Sequence, residues 1–288
     1  MSMVETCYRL ADAPGLALLA DFHARPYQPV IRSLQKHRPG LICIAGDCFY
    51  GSRPQDGVSP LVSQPTVLPF LENCAAIAPT YLALGNHERW LDAEDLDGLR
   101  GTGVTVLDNG WVEHGGLVIG GLTSGYCMDY RRFRAGKTGR TSGSQKKDRY
   151  PAQLHHTDYT HRKSGRTSGS RKTDRYPAEL HHTDYTHRPD TGWLAAFAAA
   201  PGYHILISHH PEYFRLVPEG VELILAGHAH GGQIRLFGRG VFAPGQGFWP
   251  KYTKGIYENR LIVSAGLTNT TSVPRLFNPT EIVYVNTD

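Results

Sequence analysis

The chain has 288 residues, of which 40% are hydrophobic and 19% are charged, as in an ordinary globular protein. No apolar run reaches the length of about 18 residues that a membrane span needs, and the N-terminus lacks the basic start and apolar core of a signal peptide. The five cysteines show no CxxC spacing. These features predict a cytoplasmic protein with reduced thiols.

The net charge of +4 is unevenly distributed. Residues 131–190 contain 15 Lys and Arg against 6 Asp and Glu, whereas the rest of the chain contains 15 against 20. Within this basic segment, 138–163 and 164–189 match at 21 of 26 positions, which indicates a recent duplication. The segment has too few large apolar residues to offset its ordering entropy. We therefore expect a flexible, basic, His-rich insertion over 131–189; an auxiliary metal or phosphate patch on its histidines is the less favoured alternative.

Short apolar runs alternate with helical patterns outside the insertion. Buried strands are predicted at 16–20, 41–45, 80–84, 204–207 and 221–226. Helices are predicted at 27–36, 67–78, 93–100 and 191–199. Residues 104–119 contain further short strands, and 233–285 are β-rich. The order predicts an α/β fold, a four-layer α-β-β-α sandwich with two mixed sheets packed face to face and helices outside. We expect 1–130 and 190–288 to form this single domain.

A polar motif follows each of the five buried strands. The motifs are Asp21-Phe-His23, Gly46-Asp47, Gly85-Asn86-His87-Glu88, Ser208-His209-His210 and Gly227-His228-Ala-His230. In α/β sheets, sites form beyond the carboxyl ends of strands, so these side chains should converge. Residues two apart on an extended segment point to one face. Carboxylate, amide and imidazole ligands without thiolates predict a site for two divalent ions, with Mn, Fe, Zn, Co and Ni all suitable.

Other polar residues are expected to have structural roles. The histidines in this group are His37, His114 and His204. Arg25 is interpreted as a solvated surface residue, and Glu88 as support for the start of a helix. Because only one of two adjacent residues on an extended segment faces a given side, we favour His209 over His210 as the ligand.

In their order along the chain, DxH, GD, GNHE, SHHP and GHAHGGQ resemble the calcineurin-like metallophosphoesterase superfamily. The stretches GHAHGGQIRLFGRGVFAPGQGFWPKY and VPRLFNPTEIV resemble its YkuE-like bacterial branch. The resemblance covers roughly residues 14–130 and 190–286 and leaves the insertion outside. One departure is ADFHAR, where relatives more often have SDLH followed by glycine.

This resemblance implies a role for each motif residue. One metal would be held by Asp21, His23, Asp47 and His230, and the second by Asp47, Asn86, His209 and His228. His87 matches the histidine placed against the substrate phosphate and leaving group, so His87 and the shared Asp47 are the predicted catalytic residues. Two divalent ions outweigh two aspartates, which favours an anionic substrate. We predict a metal-dependent phosphoesterase that hydrolyses a phosphodiester or phosphomonoester through a dinuclear metal-bound hydroxide.

Two kinds of alternative remain open. Among enzymes, the alternatives are a nuclease, a cyclic-nucleotide phosphodiesterase, and a hydrolase of a nucleotide-sugar lipid precursor. Nucleic acid is the less favoured partner. The aromatic residues between the basic residues of this segment are few and almost all tyrosines, and the segment is expected to be flexible. The other kind is a non-catalytic metal-binding scaffold for protein interaction, which would be expected to have lost ligands. A small phosphate ester is the predicted partner, and the sequence does not indicate an oligomeric state.

Overall fold

The structure is a computed structural model that describes residues 3–50, 58–127, 188–270 and 273–287. Almost all of the predicted insertion at 131–189 lies outside these residues, including its six histidines. The expected flexibility of the insertion and the alternative of a histidine patch therefore stay predictions.

The first of two six-stranded sheets contains most of the N-terminal half of the chain. Its strands, in spatial order, are β1 (Val4–Arg9), β16 (Glu281–Asn286), β2 (Leu16–Leu19), β3 (Leu41–Ala45), β4 (Thr80–Ala83) and β5 (Thr105–Leu107). β2 to β5 are parallel neighbours, and β16 joins them antiparallel to β2. The carboxyl ends of β2, β3 and β4 therefore lie at one edge of this sheet.

The second sheet is also mixed. Its strands, in spatial order, are β14 (Gly255–Tyr257), β15 (Leu261–Val263), β9 (Leu223–Ala226), β8 (Tyr203–Ser208), β7 (Leu117–Leu122) and β6 (Gly110–His114). β15, β9, β8 and β7 are parallel, and the two outer strands are antiparallel to their neighbours. Two small hairpins precede β14: β10 (Arg235–Leu236) with β11 (Arg239–Gly240), and β12 (Phe242–Ala243) with β13 (Gly247–Phe248).

Helices cover the outer faces of the sheets. They are α1 (Gln28–His37), α2 (Pro60–Ser63), α3 (Val67–Ala75), α4 (Ala93–Gly101) and α5 (Leu194–Ala199). In the part of the chain that the structure describes, short 3-10 helices lie at His87–Trp90, Pro211–Leu216 and His230–Gly232. α4 begins with a capping box in which the side chains of Asp92 and Asp95 each accept an N–H from the other residue's backbone.

The strand sequences alternate between two apolar layers. In β2, Leu16 and Leu18 pack between the sheets, whereas Ala17 and Leu19 pack against the helices of the first sheet. A third apolar layer lies between the second sheet and α5, where Leu206 of β8 points. Strands buried on both faces read as continuous apolar runs, which is the pattern seen in the sequence.

These layers confirm the predicted fold, an α/β sandwich with two mixed sheets face to face and helices outside. β1 was not predicted, because its residues alternate between partly buried and exposed and its sequence VETCYR has no strong apolar run. The helix predicted at 191–199 begins only at Leu194. Among the described residues, no helix is long and apolar enough to cross a membrane.

Candidate metal centre

The five motifs follow β2, β3 and β4 of the first sheet and β8 and β9 of the second. These strands are neighbours within their sheets, so each sheet brings its own motifs to one edge. A direct contact joins the two edges: Nδ1 of His209, after β8, lies 2.7 Å from the carbonyl oxygen of Ala45, at the end of β3. The predicted residues therefore come together at one end of the sandwich.

A first cluster contains Asp21, His23 and His230, all buried. Nε2 of His23 is 3.9 Å from Oδ1 of Asp21, and Nε2 of His230 is 3.7 Å from the same oxygen. The other ring nitrogen of His23 hydrogen-bonds the carbonyl oxygen of Phe49 at 2.9 Å, which fixes the ring orientation. A cation at this point would have one carboxylate and two imidazoles within reach.

A second cluster contains Asp47, His209 and His228. Nε2 of His209 is 3.1 Å from Oδ2 of Asp47 and 3.1 Å from Nδ1 of His228. The contact between His209 and Ala45 again uses the opposite ring nitrogen. Both clusters thus share one design, in which a backbone carbonyl of β3 or of the loop after it turns an imidazole Nε2 towards a carboxylate.

Asp47 lies between the two clusters. Its Oδ2 is 3.9 Å from Nε2 of His23 on one side and 3.1 Å from Nε2 of His209 on the other. Nε2 of His87 is 3.7 Å from this oxygen, and the backbone N–H of His87 donates to Oδ1 at 2.9 Å. The side chain of His87 is 11% exposed, whereas that of Asp47 is 1% exposed. His87 is therefore the partner of Asp47 that a ligand from solvent can reach.

Two buried polar atoms test whether a cation fits this arrangement. Among the described residues, Nε2 of His23 and Oδ1 of Asn86 have no hydrogen-bond partner. Burying such atoms without a partner costs free energy, which a bound cation would recover. Both are atoms that the sequence assigned as ligands, so the residues present fit a divalent metal.

The local backbone differs from the extended form expected from the two-residue spacing. Asp21, His23, Asp47, His228 and His230 all have positive φ, between 45° and 65°. This left-handed region is uncommon for residues other than glycine. The tight turns bring each ligand pair to the site by bending the chain, and the alternation of an extended strand is not involved.

Two glycines make room for the aspartates. A Cβ on Gly85 would meet Oδ1 of Asp47 at 2.3 Å, and one on Gly266 would meet Oδ2 of Asp21 at 2.5 Å. Any side chain at either position would push a carboxylate away from its histidines. Sequence reasoning did not single out Gly266, because it follows β15, far along the chain from Asp21.

Glu88 joins two of the loops that carry predicted ligands. Its buried carboxylate accepts hydrogen bonds from the backbone N–H groups of Asp47, Cys48 and Phe49, and from that of Gly85, at 2.7–3.3 Å. The expectation that it merely supports a helix start was too narrow. It also positions the loop after β3 against the loop after β4, and with it Asp47.

His210 is also buried beside the site, although its neighbour His209 is the predicted ligand and the one that contacts Asp47. Its Nε2 lies 2.8 Å from Oγ of Ser124, and its ring centroid is 4.2 Å from that of His228. His210, Glu212 and His228 form a further cluster of potential ligand atoms. The contact between His209 and Asp47 agrees with the choice of His209 as the ligand. His210 was expected to face away from the site, however, and its ring also lies beside His228.

Two residues from the end of the chain hold His230. Nη2 of Arg275 lies 3.2 Å from Nδ1 of His230, and Nδ2 of Asn278 donates to the carbonyl oxygen of His230 at 2.7 Å. Both belong to the VPRLFNPTEIV stretch, which supported the resemblance but to which no role was assigned. The resemblance of that stretch to the family was therefore the one sequence feature that could have indicated a role for Arg275 and Asn278.

Burial and neighbouring charges set the protonation of the ligands. Burial, followed by the charge of His87, lowers the pKa of His23 to about 3. Burial and then Arg275 lower the pKa of His230 well below its usual value. Burial alone would lower the pKa of His209, but the charge and hydrogen bond of Asp47, the charge of Asp21 and the hydrogen bond to Ala45 together outweigh burial and raise that pKa to about 10. Neutral imidazoles bind cations, so His23 and His230 are already in the binding form, whereas His209 must release a proton.

The residues expected to be structural make contacts of that kind. His37 hydrogen-bonds Glu5 at 2.9 Å, and His204 hydrogen-bonds Glu222 at 3.0 Å. His114 is exposed, and so is Arg25, which lies over the ring of Tyr50.

Comparison with known proteins agrees with this geometry. The model of the family described as calcineurin-like phosphoesterase matches residues 16–232, a range that includes all seven predicted metal ligands. No curated protein sequence matches the chain significantly. One crystal structure aligns over 68% of this chain and 85% of its own, with 10% identity and a TM-score of 0.34, a likeness too low to carry an argument. The family match covers more than half of the chain, so this protein belongs to the calcineurin-like phosphoesterase family, whose members are hydrolases of phosphate esters that use divalent metal ions.

Proposed function

We propose that the protein hydrolyses a phosphodiester with two divalent ions bound side by side. The proposal is carried by the position of Asp47, whose Oδ2 is within 3.9 Å of Nε2 in both His23 and His209. A single carboxylate that faces two separate sets of imidazoles is the arrangement that a pair of neighbouring cations requires. A lone structural metal would need only one of these sets.

The ligands divide into two sets that share Asp47. The first set is Asp21, His23, Asp47 and His230, and the second is Asp47, Asn86, His209 and His228. The close contacts within each cluster support this division, as do the buried atoms Nε2 of His23 and Oδ1 of Asn86. All ligands are oxygen or nitrogen atoms, which suits Mn, Fe, Zn, Co or Ni.

Divalent ions at such a centre polarise phosphoryl oxygens and lower the pKa of water. The chain itself supplies orientation and proton transfer. His87 is the partly exposed member of the site, and its ring centroid is 4.7 Å from that of His23. From there its imidazole would contact the phosphate or donate a proton to the departing alkoxide, a contribution typically worth about 10²–10⁴-fold. Glu88 and the carbonyl oxygens of Phe49 and Ala45 hold the loops and rings in place.

The remaining expectations belong to the same proposal. A small phosphodiester is preferred over a monoester on the resemblance to the YkuE-like branch. A cytoplasmic location is supported by the five cysteines, all of which are free thiols. The alternative of a nuclease depends on the basic segment at 131–189, and it predicts binding that weakens steeply with salt. A non-catalytic scaffold is disfavoured because every ligand position is filled.

The test is hydrolysis of bis-nitrophenyl phosphate and nitrophenyl phosphate by chelator-treated protein, before and after addition of Mn, Zn, Fe, Co or Ni. We expect metal-dependent turnover with the diester preferred, and two ions per chain by elemental analysis. Two ions without turnover of any phosphate ester would support the scaffold. A single ion per chain with full activity would overturn the dinuclear assignment.

A further inference from the structure

Large apolar side chains are exposed mainly in one part of the molecule. Of the eleven such residues among the described part of the chain, seven lie between positions 236 and 277: Leu236, Phe237, Phe248, Trp249, Val273, Leu276 and Phe277. The four aromatic ones are 68% to 104% exposed. We call Phe237, Phe248, Trp249 and Phe277 the aromatic rim. Contiguous exposed apolar surface of this kind marks an interaction site more often than chance exposure.

Backbone hydrogen bonds join the loops of the aromatic rim into one surface. Arg235 donates its N–H to the carbonyl oxygen of Leu276 at 3.0 Å, which places Phe277 beside the β10–β11 hairpin. Val241 donates to Ile234 at 2.8 Å, and Trp249 donates to Val241 at 2.9 Å. The rings thus protrude from adjacent turns of a connected framework.

The conformation of these turns is unusual for aromatic residues. Phe237, Trp249 and Phe277 have φ of 50°, 56° and 54°, in the region where glycine or asparagine fits best. The three side chains are 68% to 104% exposed, so they gain little from packing. A sequence that breaks a local rule without a gain for the fold does so most often at a functional surface.

The loops that carry the rim are basic in sequence, although Lys254 is paired with Glu281 at 2.7 Å. Residues 231–257 and 266–280 contain five basic residues and no Asp or Glu, whereas the rest of the chain outside 131–190 contains 10 basic and 20 acidic residues. Two of the five cations, Arg239 and Lys251, are exposed beside the rim. Lys251 has one carboxylate nearby, Glu258, at 3.5 Å, and both side chains are more than half exposed. The face therefore complements an anionic surface.

The same loops are bonded to the metal centre. Nη1 of Arg235 donates to the carbonyl oxygen of Gly231 at 2.9 Å, next to His230. Asn278, next to Phe277, donates to the carbonyl oxygen of His230. Whatever binds the aromatic rim is consequently held beside the predicted ligand His230.

We propose that the aromatic rim inserts into the interfacial layer of an anionic phospholipid bilayer and docks the protein on a membrane surface. Aromatic rings favour the boundary between headgroups and acyl chains, and nearby Lys and Arg are attracted to anionic headgroups. Separate rings at the tips of turns suit a fluid interface, whereas a second copy of the chain would require a surface shaped to receive each ring.

The first test is co-sedimentation of the full chain with vesicles of phosphatidylglycerol and, separately, of phosphatidylcholine. We expect binding to phosphatidylglycerol that weakens with salt, and a roughly tenfold loss of binding for the double variant Phe237→Ser, Trp249→Ser. Val62→Ser, which removes a 73% exposed apolar side chain from α2, is the matched control and should bind normally. All variants keep the basic segment at 131–189, so its attraction to the vesicles is constant. Equal binding by the double variant and the wild type would overturn the proposal.

Tryptophan fluorescence provides the second readout. Emission should shift to shorter wavelength on addition of phosphatidylglycerol vesicles, and Trp249→Phe should abolish the shift although Trp90, Trp111 and Trp193 remain. Protection of Trp249 from acrylamide quenching without vesicles would mean that another part of the chain covers the rim, and would overturn the proposal. A light-scattering mass that rises with concentration and is reduced by the double variant, without vesicle binding, would instead identify a second copy as the occupant.

Discussion

The two sheets contribute differently to the metal centre. The first sheet carries every acidic or amide ligand that we propose, Asp21, Asp47 and Asn86, together with one histidine. The second sheet carries only histidines: His209, His228 and His230. Negative charge is therefore concentrated on the part of the site that the first sheet provides. The second sheet supplies ligands that are neutral when bound. We infer that the first sheet attracts the cations and that the second completes their coordination.

The most severe way to break this division is to remove the shared carboxylate. Asp47→Asn keeps the size of the side chain but removes the charge that faces both His23 and His209. We expect both ions to be lost and hydrolysis of bis-nitrophenyl phosphate to fall to background. Elemental analysis after gel filtration checks the metal content, with Asp97→Asn on the exposed face of α4 as the matched control. Two retained ions would contradict the proposed role of Asp47.

Removal of one histidine from the second sheet should have a smaller effect. His209→Ala should reduce the content from two ions to one, since Asp21, His23 and His230 remain, and should lower turnover by at least about 100-fold. His114→Ala, an exposed histidine of β6, is the control. His210, the neighbour of His209 in the sequence, provides a second comparison. His210→Ala should retain both ions. Loss of an ion in His210→Ala but not in His209→Ala would reverse the assignment.

His87 tests chemistry without testing metal binding. His87→Ala should retain both ions, yet lose about 10²–10⁴-fold on alkyl phosphodiesters, whose leaving group needs a proton. The loss on nitrophenyl esters should be much smaller, because nitrophenolate leaves unprotonated. Steady-state kinetics on the two ester classes make this comparison within one variant. Equal losses on both would argue against proton donation by His87.

Substitution of Glu88 tests whether metal binding needs the hydrogen bonds that join the loop after β3 to the loop after β4. Glu88→Gln keeps the shape but replaces one acceptor oxygen with a donor group that faces backbone N–H groups, so the loop holding Asp47 should shift. We expect a loss of about 10–100-fold in metal affinity, measured by calorimetry, with a parallel loss in turnover. Glu113→Gln on exposed β6 is the control. Unchanged metal affinity would reduce Glu88 to a residue that merely supports the fold.

The smallest effect concerns the far edge of the first sheet. Hydrogen bonds from Ser33, His37 and Lys36, in that order, lower the pKa of Glu5 from 4.5 to about 2. Because the folded pKa is depressed, this stabilisation is present above pH 4.5 and is lost as the pH falls towards 2. Glu5→Gln should lower Tm at neutral pH by at most about 3 °C, since the site is largely exposed.

The difference in Tm between the wild type and Glu5→Gln should shrink as the pH falls through this window, and the two proteins should have equal metal content at each pH. Thermal unfolding followed by circular dichroism at several pH values measures it. A difference that grows at low pH would contradict the direction of the shift. Equal metal content in the wild type and Glu5→Gln at each pH would separate the stability of the first sheet from its role in binding.

Sequence reasoning predicted the strands and the convergence of the motifs, because an apolar run that ends in a polar residue marks the carboxyl end of a buried strand. It also predicted the layers, since runs such as that of β3 have no polar face. The contacts from distant parts of the chain could not be predicted. Gly266, Arg275 and Asn278 act on Asp21 or His230 only after the last strands have packed into place.

The left-handed backbone conformation of the motif residues could not be predicted from the sequence either. Residues two apart predict a shared face on an extended strand, and Asp21 and His23 do lie in one cluster, whereas His228 and His230 belong to two different clusters. These residues reach the site through left-handed turns, however, because Asp21 and His228 lie just after their strands have ended. A histidine or aspartate at positive φ leaves no mark in a single sequence.

Those left-handed turns have a consequence for anyone who engineers this protein. Each non-glycine residue held at positive φ costs on the order of 1–3 kcal/mol, and Asp21, His23, Asp47, His228 and His230 are all in that state. Substituting glycine there would relax the chain and raise its resistance to heat while removing a proposed ligand. Selection for thermostability alone would therefore enrich inactive clones, and a useful library would keep these five codons constant.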